Sequence, residues 1–185
     1  MSWNTFFLIQ KGSQGKQPAS FLESLGLPGA QEKESISFHE ATSSGLAGQA
    51  IAESNGWTIL TDPVFFLDLF PDDAISGGGV LLPLPLEQRL LAVSNEHPSY
   101  ALLLNGVSDT YGFAAYENGE CTRAILQAED TTYIDTGSTS FTNDHWAEDR
   151  DPEEMLLELL AEITGIESFD ELKFTVCEVP PFGST

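Results

Sequence analysis

Hydrophobic positions along this chain follow two rhythms, and Asn-Gly pairs mark the places where the period-two rhythm turns back on itself. Residues 99–127, SYALLLNGVSDTYGFAAYENGECTRAILQ, hold three strand-like runs broken at Asn105-Gly106 and Asn118-Gly119. Asn-Gly between apolar runs predicts a hairpin, because both residues tolerate the positive φ of a tight primed turn. With Asn118 and Gly119 as the turn, Tyr116 pairs with Cys121 and Phe113 with Ala124, collecting Tyr111, Phe113, Ala124 and Leu126 on one face. The other face, with Gly112, Ala114, Tyr116, Cys121, Arg123 and Ile125, is also mostly apolar, which places this strand pair inside a sheet. A two-residue turn at Asn105-Gly106 sets Asp109 opposite Leu102, a costly place for a lone carboxylate. A longer loop over 105–109 avoids this and is preferred.

The remaining pattern fills in the chain. Residues 2–10 form a first strand with Trp3, Phe6, Phe7, Leu8 and Ile9, and 18–25 a short helix opened by Pro18 and stopped by Gly26. Ile36 and Phe38 mark a brief alternating strand. AIAESNGWTILTD, residues 50–62, is a second hairpin that pairs Ser54 with Trp57, Ala52 with Ile59 and Ile51 with Leu60. Asp62-Pro63 reads as a cap followed by proline, so 64–70 opens a short helix, with an apolar strand as the competing reading. Residues 71–79, PDDAISGGG, are a surface loop, and 85–95 a helix with Leu86, Leu90, Leu91 and Val93 inward.

Residues 128–151 read as irregular and acidic. Asp151 then caps a helix with Pro152 at its first position, Glu153 and Glu154 in its first turn and Gly165 past its end. Leu156, Leu159, Leu160 and Ile163 form its buried stripe, and that burial outweighs the mild repulsion among Glu154, Glu158 and Glu162. Residues 172–179 close the chain as a strand. Two Asn-Gly hairpins, terminal strands and three or four helices make one α+β domain over 1–185, its sheet mostly antiparallel.

Charge changes the picture most. There are 29 acidic and 7 basic residues, for a net −22. That excess argues against nucleic-acid and anionic-membrane partners, which depend on Lys and Arg. It points to a self-repelling soluble surface, a salt-adapted source or a footprint for a basic partner. No run approaches the length that spans a bilayer, and the N-terminus lacks a basic segment and cleavage site, so a cytoplasmic protein is expected. Cys121 and Cys177, far apart, read as reduced thiols on strands rather than a disulfide or metal pair.

Among candidate sites, Asn143-Asp-His-Trp-Ala-Glu-Asp-Arg-Asp151 offers metal-ligand types in Asp144, His145, Glu148 and Asp149. The spacing matches neither a calcium loop nor a paired-His zinc helix, and the plain reading is a solvated loop pinned by Trp146. His39 and His97 stand alone in sequence. Gly77-Gly78-Gly79 lacks the Lys-Ser/Thr of a phosphate loop, no Ser sits in a nucleophile elbow, and no cofactor is called for. Arg123, mid-strand, either pairs with a carboxylate or meets an anionic ligand or partner.

YGFAAYENGECTRAI and the downstream IDTG resemble a family of uncharacterised small acidic bacterial proteins. The likeness spans Tyr111 to Gly137 and joins an aromatic strand, an Asn-Gly turn, an Arg-bearing strand and an acidic loop. It implies a bacterial cytosolic protein and carries no activity or catalytic residue with it. The sequence therefore favours a soluble, non-enzymatic interaction protein, an immunity- or antitoxin-like binder of a basic partner through Glu154, Glu158 and Glu162. The alternatives are a metal-dependent hydrolase built on Asp144, His145, Glu148 and Asp149, or a small-molecule binder with a pocket between the sheet and the 85–95 helix.

Overall fold

A computed structural model describes residues 4–12, 17–43, 45–46, 48–62, 81–82, 84–106, 108–129, 131–141 and 150–180. Its organising element is β1 (Asn4–Lys11), where Phe6, Phe7, Leu8 and Ile9 are all fully buried. Four consecutive apolar residues on a strand must send side chains to both faces, so both faces need cover. The sheet supplies this arrangement by placing the N-terminal strand near its middle.

The elements follow in the order β1, α1 (Pro18–Ser24), β2 (Gln31–Ser37), α2 (Phe38–Ala41), β3 (Gln49–Ser54), β4 (Trp57–Asp62), α3 (Leu84–Val93), β5 (Ser99–Asn105), β6 (Thr110–Glu117), β7 (Glu120–Ala128), β8 (Thr131–Gly137), α4 (Pro152–Thr164), a 3₁₀ turn (Phe169–Glu171) and β9 (Lys173–Glu178). Among the described residues the nine strands form one sheet in the order β2-β9-β3-β4-β1-β5-β6-β7-β8. Every neighbouring pair is antiparallel. The molecule is thus a mixed α and β structure in which the sheet dominates.

Each face has its own core. Phe7, Ile9, Ile59, Leu102 and Phe113 join Phe38 of α2 and Leu156, Leu159, Leu160 and Ile163 of α4 on one side. Phe6, Leu8, Leu60, Ala114 and Tyr116 meet Phe21 and Leu22 of α1 and Leu86 and Leu90 of α3 on the other. The two edge strands, β2 and β8, are mostly exposed.

The two-residue turns carry positive φ at Asn55 (51°), Gly56 (85°), Asn118 (54°) and Gly119 (79°). Across the first of them Ser54 faces Trp57, Ala52 faces Ile59 and Ile51 faces Leu60. Beyond the second, the register departs from simple counting. Tyr116 faces Cys121, but Ala115 faces Arg123 and Phe113 faces Ile125, because Thr122 is an extra residue on β7. This bulge moves Arg123 and Ile125 to the face of Phe113, and Ala124 and Leu126 to that of Ala114. Between β5 and β6, Asn105 faces Thr110, so the loop covers 106–109 and takes Asp109 (φ 43°) off the ladder.

Two stretches differ from the sequence expectation. Phe38 opens α2 instead of continuing a strand, because Ser37 and Glu40 form a reciprocal capping box: Glu40 N donates to Ser37 Oγ, and Ser37 N donates to Glu40 Oε2 at 2.8 Å. Residues 131–137, expected to be irregular, are the edge strand β8 paired to β7. Residues 64–70 and the Asp72-Asp73 and Gly77–Gly79 features lie outside the described residues.

Candidate functional site

α4 is set by its ends. Asp151 accepts a hydrogen bond from Glu153 N at 2.8 Å, Pro152 occupies the first position, and Gly165 takes the left-handed conformation (φ 68°) that terminates the helix. Leu156, Leu159, Leu160 and Ile163 are buried in the core against the sheet, and Met155 is buried as well. What remains outward is acidic. Glu154 and Glu162 are exposed, and half-buried Glu158 accepts an ion pair from Arg150 at 2.7 Å. Between positions 150 and 171 the chain carries eight acids against one base, Arg150. Further along the chain Asp170 and Glu171 of the 3₁₀ turn are also exposed, and Phe169 ties that turn to α2 by a ring contact of 5.4 Å with Phe38.

On the same face a groove of about 470 Å³ opens between β2, β9 and α2. Ile36, Leu46 and Val176 give it an apolar floor, and Lys33, Glu34, His39, Glu40 and Glu178 stand around it. Lys33 bridges to Glu178 at 3.1 Å. The backbone N–H and hydroxyl of Ser37 hold the carboxyl of Glu40 below its ordinary value. On the opposite face, where a small-molecule pocket was expected between α3 and the sheet, Leu86 and Leu90 of α3 are fully buried in the core.

Arg123, buried by the β7 bulge, is held by β8. Its Nη1 donates to Asp135 Oδ1 and to Thr136 O at 3.1 Å. The carboxylate partner is therefore local, on the neighbouring strand. His39 borders the groove, and His97, two residues before β5, lies beside Gly12. Asp144, His145, Trp146, Glu148 and Asp149 lie outside the described residues, and among those described no group of three or more His, Cys, Asp or Glu side chains is placed to hold a metal.

Sequence reasoning missed one buried charge. Glu87 of α3 is 7% exposed and accepts a hydrogen bond from Tyr116 Oη at 3.1 Å. Its signal was positional: residue 87 falls three before Leu90 and four before Leu91, on the inward stripe. Burial first, and Glu87 second, push the phenol of Tyr116 far above its ordinary value. Tyr100 shifts the same way, through burial and its 2.5 Å bond to Glu117. Partial burial and then Glu87 also raise the Cys121 thiol, and burial pushes Cys177 up to about 11, so neither sulfur is an activated nucleophile.

These groups set two outcomes. Tyr116→Phe, which removes a hydrogen-bond donor to buried Glu87, should lower stability by about 1–3 kcal/mol in urea unfolding. A raised native phenol value means that the folded chain keeps the proton while the unfolded chain loses it. The contribution is complete below about pH 10 and is lost as pH rises toward the native values, at about 1.4 kcal/mol per pH unit for each tyrosine. In a Tyr111→Phe/Tyr133→Phe background, which leaves Tyr100 and Tyr116 as the only phenols, phenolate absorbance should therefore appear together with loss of the sheet's circular dichroism. Phenolate forming while the sheet signal persists would contradict this.

Comparisons with protein-family models, characterised proteins and solved structures give no match to this chain. Among the described residues no helix is long and apolar enough to cross a membrane.

Proposed function

We propose that this chain is an acidic, non-enzymatic interaction protein of the immunity or antitoxin kind, docking a basic partner protein along α4. The observation that carries the reading is the two-sidedness of that helix. Its apolar stripe is buried in the core against the sheet, so the side toward solvent carries Glu154, Glu158 and Glu162, and exposed Asp170 and Glu171 follow along the chain. Such a face steers a cationic partner and speeds its association at low salt. It also repels phosphate backbones and anionic headgroups, in keeping with a cytoplasmic protein that meets other proteins. The likeness over Tyr111–Gly137 to small acidic bacterial proteins suits this role and assigns no chemistry.

The test uses wild type and the variant Glu154→Lys/Glu158→Lys/Glu162→Lys, each immobilised and exposed to lysate of the source organism at low and raised salt. Substitutions at exposed positions and losses of surface ion pairs cost little stability, so the variant should fold. Wild type should retain a protein of basic isoelectric point that salt releases and the variant does not hold. Equal retention by the variant, or nothing salt-sensitive on wild type, contradicts the reading.

A further inference from the structure

The Asn-Gly turns are chemical weak points of unequal strength, and we propose that the folded chain deamidates at Asn55-Gly56 well ahead of Asn118-Gly119. In this reaction the backbone nitrogen of the glycine gives up its proton and attacks the asparagine Cγ. A new C–N bond forms, the Cγ–Nδ2 bond breaks, and ammonia leaves a cyclic imide. Water then opens the ring at Cγ to give aspartate, or at the main-chain carbonyl to give isoaspartate. The balance is one water in and one ammonia out, with no oxidant or reductant.

The two sites are matched in nearly every respect that governs this chemistry. Both asparagines are exposed and both glycines half-buried. Asn55 and Asn118 have φ of 51° and 54°, and their glycines 85° and 79°. They differ at the nucleophile. Gly119 N donates to Ser94 Oγ at 3.1 Å, and Asn118 N donates to Ser94 O at 3.0 Å. A nitrogen bound in this way resists both losing its proton and swinging toward Cγ. Among the described residues no acceptor meets Gly56 N; it is the Gly56 carbonyl that is engaged, by Gly12 N at 2.9 Å.

Conversion at residue 55 also changes a tertiary contact. Asn55 Nδ2 donates to Gly165 O at 3.0 Å, fastening the β3–β4 turn to the end of α4. Loss of the amide replaces that donor with a carboxylate facing a carbonyl, and the isoaspartate route adds a main-chain atom to a two-residue turn. Either product frees the turn from the helix end and adds negative charge beside the acidic ridge.

The test is peptide mapping by mass spectrometry during incubation of the intact chain in mildly alkaline buffer, folded and in denaturant, for wild type and Ser94→Ala. In denaturant both sites should convert at similar rates. In the folded wild type Asn55 should lead Asn118 several-fold, and Ser94→Ala should speed Asn118 alone. Asn118 keeping pace with Asn55 in the folded wild type overturns the proposal, whether or not the Ser94 variant folds. A folded Ser94→Ala chain whose Asn118 rate is unchanged overturns it equally.

Discussion

Phe38→Ala should lower the free energy of unfolding by about 3–5 kcal/mol, the range for removing a buried aromatic ring. Phe38 is 5% exposed, and its ring meets Phe7 at 6.2 Å, Phe169 at 5.4 Å and Phe174 at 6.0 Å. One side chain thus joins α2, the 3₁₀ turn, β9 and the central strand. α2 is only four residues long and has no independent stability, so the capping box at Ser37 and this ring fix it in place. Urea unfolding should show the midpoint falling with little change in slope. Leu84→Ala, at a position 39% exposed, should stay within about 0.5 kcal/mol. A Phe38→Ala loss below about 1 kcal/mol would mean that the ring is not in the aromatic cluster.

Leu160→Ala should cost about 2–5 kcal/mol, and Leu86→Ala should fall in the same range. Both side chains are fully buried, but they belong to helices on opposite faces of the sheet. Two large losses are what a sheet covered on both sides requires. A near-zero value for either would leave that face open and remove the packing that orients its helix. The Leu160 measurement also bears on function, because the inward stripe of α4 is what turns Glu154 and Glu162 outward.

The residues explain which parts of this fold were legible in the sequence. The 3.6-residue stripe of α4, with Asp151 before it and Gly165 after it, was plain because cap, period and stop are all local. Residues 50–62 were legible for the same reason: two Asn-Gly turn residues set a register with no irregularity. The β6–β7 pair hid its bulge because Thr122 looks like an ordinary strand residue, and only the ladder shows that it is extra. β8 was missed because an exposed edge strand, TTYIDTG, buries little and shows no hydrophobic alternation. α2 carries a full capping signature in Ser37-Phe38-His39-Glu40, but at four residues it is too short to show a 3.6-residue stripe.

The candidate site divides along similar lines. The acidic positions of α4 follow from periodicity. The groove beneath α2 brings together residues from β2, β9 and the loop after α2, positions 33 to 178, and a cavity assembled from distant segments leaves no linear trace. Arg123 was recognised as unusual, but its partner Asp135 was unforeseen because β8 itself was not expected.

The central claim, that the acid-lined side of α4 is a docking surface for a basic protein, is tested most directly by association kinetics. For a partner recovered with the wild-type chain, stopped-flow association should slow about 10-fold between low and physiological salt, with dissociation little changed. The Glu154→Lys/Glu158→Lys/Glu162→Lys variant should begin at the slow limit and show no such slope. An association rate that ignores salt in the wild type, or a variant that binds as fast as wild type at low salt, would contradict the account.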